Sequence, residues 1–435
     1  MRRVSASFLF TLLFVILKSV PATAGGPISV GGPTLGTEGQ VIVWDQSAPV
    51  QYRIDGGPLG LLTNLGASTS VSNAFQQWTQ VPGSALTTQN AGSIQGVADS
   101  DVSTVAEYDA VSASCDAGEQ SPIIFDNGVL IGQLTGDSNV LGFSGTCKIS
   151  AQGKIQTALT FLSQPSDMPT AYLQVEILHE LGHFLGLEHT DVLAPFETGW
   201  TQTDIDNTPT MFYNLITPTS ATLKPDDKAW FAKLYPGQNF SSYYGNISGD
   251  ILFRDGITPV QGMLVIARRV GETHVTAFSS VSGYRFTNNI GQRYTSDYLP
   301  CVPASACSGG TWGDNPGSEF GSHSPTLAGR YDIPVLPGRY TIEVRSLSDS
   351  GSMGPFYPSA PIPGPEEYWE TQESNADWDM FHSFNWLAQP GSVNVAAGQT
   401  VSGISIILNG TDETYDIFDS PPAQPASTSP AGAGR

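Results

Sequence analysis

The sequence predicts an α+β chain of two domains, the first made of strands and three helices, the second all-β. Three observations carry that expectation. Gly (47) and Pro (31) are abundant and charged residues make up only 13%, which suits strands and turns, while 40% apolar residues are enough for real cores. Three segments before residue 240 repeat apolar residues at helical spacing. From about Asn246 to Leu408 the pattern changes to short apolar runs punctuated by turn residues. At 435 residues the chain also exceeds one ordinary domain.

The elements follow in order. Residues 1–24 have the features of an export signal: Arg2 and Arg3 at the start, an apolar run over 8–17, and Ala22-Thr23-Ala24 as a small-x-small cleavage site. That run is short for a bilayer span, and no longer one follows, so a secreted chain without a membrane span is expected. Residues 25–48, rich in Gly and Pro, are expected to form a flexible leader. Val50, Tyr52 and Ile54 alternate as in a strand. Val71, Ala74, Phe75 and Trp78 recur at helical spacing, with Ser70 as N-cap. Residues 84–120 read as strands joined by long loops. Strands are expected at 122–125, 140–143 and 155–162, with Asp126-Asn127-Gly128 as a turn. Behind Pro169, residues Leu173, Ile177, Leu181 and Leu185 recur every four positions, and Gly186 is placed to end that helix. A last helix spans 225–234 and stops at Pro236-Gly237. This completes a first domain over 49–240.

The second domain, 245–410, has strands at 247–253, 263–268, 331–335, 340–344 and 404–408 and is expected to be an antiparallel β-sandwich. Within it, Tyr368, Trp369, Trp378, Phe381, Phe384 and Trp386 lie among acids. They either form a docking platform for carbohydrate or protein, or plug a long insertion onto the sandwich. His274, His323 and His382 have no ligand spacing. Residues 411–435 have the composition of a disordered tail.

Charge narrows the partners. Eighteen basic residues face 40 acidic ones, a net −22, and without Arg2, Arg3 and Lys18 only 15 bases remain. Little is left to neutralise phosphates, so a nucleic-acid partner is not expected. The four cysteines suggest disulfides in an exported chain. Proximity favours Cys115–Cys147 and Cys301–Cys307, one of three connectivities.

The chemistry concentrates in His179-Glu180-Leu181-Gly182-His183-Phe184-Leu185-Gly186-Leu187-Glu188-His189. On a helix, His179 and His183 share a face one turn apart. Gly186 allows the chain to turn back, so that His189 can supply a third ligand. Three neutral imidazoles on one Zn²⁺ leave a position open for water, as in a catalytic site. Glu180 is placed to take a proton from that water.

This segment resembles the metzincins, a family of zinc endopeptidases, and its wording is most similar to the matrixins. The resemblance implies a twisted mixed sheet with three helices. It also implies a methionine turn beneath the metal, which Met211 fits, and an extended polypeptide substrate paired along an edge strand at 140–143. Tyr213 lies two residues beyond that Met; it either ligates zinc or steadies the transition state, as in astacins and serralysins, or lines the substrate pocket. Asp226 and Asp227 either brace the Met211 turn or favour the dipole of the closing helix. Calcium often accompanies this fold, and Asp99, Asp101, Asp126 and Asp137 are oxygen donors in loops, but they lack calcium-loop spacing. The second domain is similar to carboxypeptidase-regulatory or transthyretin-like sandwiches in its 247–251, 259–262 and 336–340 phrases. The alternative to a protease is a binding or adhesion protein whose second domain is the active part and whose zinc site is vestigial.

Overall fold

The structure, a computed structural model, describes residues 25–138, 140–165, 168–192, 199–253, 255–260, 262–286, 321–322, 324–345, 366–371, 373 and 390–408. The export signal, the Cys301–Cys307 pairing, His323, His382, Trp378, Phe381, Phe384, Trp386 and the 411–435 tail lie outside the described residues.

The chain is α+β. Its first half builds a six-stranded mixed sheet from β1 (Val43–Trp44), β2 (Val50–Ile54), β3 (Thr88–Ser93), β4 (Pro122–Asp126), β5 (Gly142–Ile149) and β6 (Lys154–Ser163). The path is β1-β6-β4-β2-β3, all parallel pairs, and off this path β5 pairs antiparallel with β6. Among the described residues β5 pairs with β6 alone, so its outer edge is open.

Both faces of the sheet are covered. The helices are α1 (Asn64–Thr79), α2 (Val105–Ala117), α3 (Leu130–Thr135), α4 (Thr170–Phe184), α5 (Gln202–Asp206), α6 (Pro225–Leu234) and α7 (Phe240–Tyr243). On one face Ile123, Phe125, Ala158 and Leu162 join the apolar sides of α1, α4 and α6. On the other, Ile124, Leu159 and Phe161 pack with Val111 and Cys115 of α2 and with Leu130 and Ile131. Burial on both faces explains why β4 reads as a continuous apolar run rather than an alternation. A disulfide, Cys115–Cys147, ties α2 to β5.

Four expectations need correction. Residues 84–120 hold one strand, β3, but are not strands and loops throughout, because α2 occupies 105–117, opened by a reciprocal capping box between Thr104 and Glu107. Among the described residues the three expected helices thus become four of ten residues or more, with three short ones besides. Ser70 does not cap α1; Thr63 does, accepting the Gly66 N–H, and the helix starts seven residues before the apolar repeat. Residues 25–48 are not a flexible leader. Gly25 and Ile28 donate backbone hydrogen bonds to His189 O and Gly186 O, Val30 and Ile42 are buried, and Trp44 donates through Nε1 to Phe184 O at 2.8 Å.

The second half forms two more sheets from β7 (Gly245–Leu252), β8 (Leu264–Arg269), β9 (Ala277–Val281), β10 (Arg330–Val335), β11 (Gly338–Arg345), β12 (Glu367–Tyr368), β13 (Val393–Val395), β14 (Thr400–Val401) and β15 (Ile406–Ile407). One sheet joins β10, β7, β14 and β15; the other joins β12, β11, β8, β9 and β13. Alternate residues Tyr331, Ile333 and Val335 of β10 and Tyr340, Ile342 and Val344 of β11 are buried in one apolar cluster. Tyr368 and Trp369, the described members of the aromatic stretch, are buried rather than displayed.

That same cluster continues into the first half. Trp230 of α6 packs edge-on against Tyr284 with centroids 5.9 Å apart. Lys233 forms an ion pair with Asp332 and donates to Asn246 at 3.0 Å. His274 Nδ1 lies 2.9 Å from Asp204. No helix among the described residues is long and apolar enough to cross a membrane.

Candidate metal centre

Helix α4 carries the first two histidines because its apolar repeat faces the sheet and α1, and because Trp78 Nε1 pins it by donating to Leu178 O at 3.0 Å. His179 and His183, one turn apart, lie on the same side. Gly186 then adopts φ +82°, a left-handed conformation that L side chains rarely take, and Leu187 N–H closes back on Gly182 O at 3.0 Å. The reversal brings His189 to the helix.

The three imidazoles converge. His179 Nε2 and His183 Nε2 are 3.1 Å apart, and each lies 3.0 Å from His189 Nε2. His179 Nδ1 faces Thr210 O and His183 Nδ1 faces Leu187 O, both at 2.8 Å. A carbonyl accepts only, so these two Nδ1 atoms carry the protons and the facing Nε2 atoms carry lone pairs. Burial holds all three rings neutral. His179 is lowered to about 4, His183 to about 3 with help from His179, and His189 falls well below the usual value, pressed further by both neighbours. Converging neutral lone pairs repel one another unless a cation lies between them, so this donor set fits a divalent metal that accepts nitrogen ligands. Among the described residues these three form the one group of metal-capable side chains. Asp99, Asp101, Asp126 and Asp137 do not cluster; Asp126 instead receives Leu130 and Ile131 N–H groups and caps α3.

Glu180 points from the same helix and is 6% exposed, and its Oε2 has no hydrogen-bond partner among the described residues. Burial pushes its carboxyl well above the usual range, and Glu176 one turn earlier pushes it further. Burial raises Glu176 to about 7. Gly142, opening the edge strand β5, sits against this pair, since a Cβ there would lie 2.8 Å from Glu176 Oε1 and 3.1 Å from Glu180 Cγ. Glu188, raised by burial to about 8, accepts the His189 N–H at 2.9 Å.

The turn beneath the histidines contains Met211. A Cβ on Gly182 would lie 2.2 Å from Met211 Sδ and 2.9 Å from Trp78 Cζ2, which accounts for glycine between the two ligands. Asp227 holds the turn by accepting N–H groups from Thr210 (2.9 Å), Met211 (3.0 Å) and Lys224 (2.7 Å). Asp227 thus braces this turn and also stands in the first turn of α6, where it accepts from the N-cap residue, and Thr210 O faces His179 Nδ1. Asp226 faces elsewhere, accepting the Thr190 hydroxyl at 2.5 Å. Tyr213 is half-buried and packs on Phe212, centroids 4.3 Å apart; among the described residues no hydrogen bond joins it to the histidines.

A shallow crevice between the two halves is lined by Trp200, Asp204, Phe212, Arg268 and His274 among others, and none of the three ligands lines it. Sequence reasoning missed Glu176, although an acid four residues before Glu180 on an apolar helix face was a readable signal. It also missed the bond from Gly25 N–H to His189 O, which no local pattern announces. Compared with the models of known protein families and with curated proteins, the chain matches none.

Proposed function

We propose that this protein is a secreted zinc-dependent endopeptidase of the metzincin type, matrixin-like in its motif, followed by a β-sandwich of carboxypeptidase-regulatory or transthyretin-like kind. One observation carries the reading: three buried, neutral imidazole nitrogens 3.0–3.1 Å apart beside a buried carboxylate with a free oxygen. Three protein ligands, rather than four, are the complement of a catalytic zinc site, and a structural site would have no use for Glu180.

His179, His183 and His189 would hold the ion. Zinc bound there supplies Lewis acidity, making a water molecule more acidic and a carbonyl more electrophilic. The protein's own groups do the rest. Glu180 Oε2 receives the proton of the attacking water and later delivers it to the departing amine. The open edge of β5 offers main-chain donors and acceptors to an extended polypeptide, and Gly142 places that edge against the Glu176–Glu180 pair. Tyr213 is assigned to the pocket wall, where it packs on Phe212.

Glu180→Gln tests the reading. The variant keeps all three ligands, so zinc content stays at the wild-type level while peptide cleavage falls by about 10²-fold or more. Full cleavage by this variant would remove Glu180 from the chemistry.

A further inference from the structure

His189 is the ligand with the weakest local support. His179 and His183 are fixed by a helix and by Nδ1 bonds to backbone carbonyls. His189 follows the helix on a loop, and its Nδ1 has no hydrogen-bond partner among the described residues. Apart from Glu188 Oε1 at 3.7 Å, beyond hydrogen-bond reach, nothing polar among the described residues holds Nδ1, so the ring depends on the backbone that carries it, and that backbone is held from behind.

Thr190, the next residue, is 1% exposed. Its N–H donates to Met211 O at 2.8 Å, and its hydroxyl donates to Asp226 Oδ2 at 2.5 Å. The hydroxyl oxygen is also 2.9 Å from Ser279 Oγ on β9. Thr190 has one hydroxyl proton and spends it on Asp226, so Ser279 is the donor in that second bond. The other oxygen of Asp226 accepts the Ser279 N–H at 2.8 Å, and Ser279 O accepts Trp230 Nε1 at 2.7 Å. Ser279 thus offers three polar groups to the first domain, at the residue adjoining a ligand, and is wholly buried in doing so. A surface meant only for docking has no reason to aim them there.

We propose that the second domain completes the metal centre: Ser279, with Asp226 and through Thr190, is a positioning residue for His189. This rests on reading the three histidines as metal ligands, as proposed above. The two domains then form one functional unit, and the all-β part contributes to metal retention.

The test measures zinc affinity by chelator competition in the full chain, alongside urea unfolding. Thr190→Val and Ser279→Ala should each weaken zinc binding, Thr190→Val by roughly tenfold, as expected for a group behind a ligand. Thr190→Ser, which keeps the hydroxyl, should bind zinc as the wild type does. Asp332→Asn cuts the Lys233 ion pair elsewhere in the same interface, so it should lower stability and leave zinc affinity within about twofold. The proposal is overturned if Thr190→Val binds zinc like the wild type, or if Asp332→Asn weakens zinc as much as Thr190→Val does. A wild-type chain that takes up no zinc would instead overturn the reading of the histidines themselves.

Discussion

Gly182→Ala pits two well-known effects against each other. On an isolated helix, alanine is favoured over glycine by about 1 kcal/mol. Here the added methyl would lie 2.2 Å from Met211 Sδ, 2.9 Å from Trp78 Cζ2 and 3.0 Å from Met211 Cε. Ordinary contacts between such atoms are about 3.5–4.0 Å, so the turn must retreat by more than about 1 Å. Neither neighbour has free space, since Met211 is 1% exposed and Trp78 0%. The Met211 N–H is also held by Asp227 at 3.0 Å. Overpacking of this kind costs about 1–3 kcal/mol, and the severe overlap favours the upper end. The net expectation is a loss of about 1–2 kcal/mol after the helix gain is subtracted. The retreat also pulls Thr210 O from His179 Nδ1, so zinc affinity should fall with stability. Urea unfolding of the apo protein and chelator competition read the two effects separately. A variant more stable than the wild type by about 1 kcal/mol would mean that helix propensity alone governs the site, and the close approach of Met211 would be refuted.

Two further perturbations test the support around the site and the fold. Asp227→Ala strips the acceptor from two buried N–H groups, at Thr210 and Met211, and from the half-buried one at Lys224, and should cost about 2–4 kcal/mol in urea unfolding; a loss below about 1 kcal/mol would show that the turn stands without it. Asp55, raised by burial to about 7 despite accepting the Gly57 and Val102 N–H groups, holds its proton more tightly in the folded chain than in the unfolded one. Its contribution is therefore complete below pH 3.8 and is lost as pH rises through about 7. Asp55→Asn should flatten that part of the stability profile between pH 4 and pH 7, and identical profiles for the two proteins would contradict the assignment.

Much of the site was legible because its determinants are local. Helix α4 shows in a four-residue apolar repeat, and the ligand spacing depends only on that helix and on the reversal at Gly186. Strand β2 shows in its alternation of buried and open positions, and β4 and β6 show as short continuous runs of apolar, largely β-branched or aromatic side chains. What escaped depends on contacts distant in sequence or on weak apolar signals. Helix α2 buries only Val111 and Cys115, so its amphipathic pattern is faint; the Thr104–Glu107 capping box was its readable trace. The Gly- and Pro-rich segment after residue 24 has the composition of a loop. It is ordered by backbone bonds to the reversal after α4, such as Ile28 N–H to Gly186 O at 2.9 Å. Ser279 belongs to a strand the pattern did not reveal, and its role depends on where that strand meets α6. The Cys115–Cys147 pairing was readable from proximity, though its task of tying α2 to the edge strand was not.

The central claim is that three converging histidines hold a zinc ion used to hydrolyse peptide bonds. The most direct measurement counts zinc in the purified protein and follows cleavage of a denatured protein substrate such as gelatin or casein, with and without a zinc chelator. The account predicts about one zinc per chain, cleavage that stops on chelation, and recovery when zinc is restored. A protein that carries no zinc, or that cleaves equally well after its zinc is removed, would contradict it.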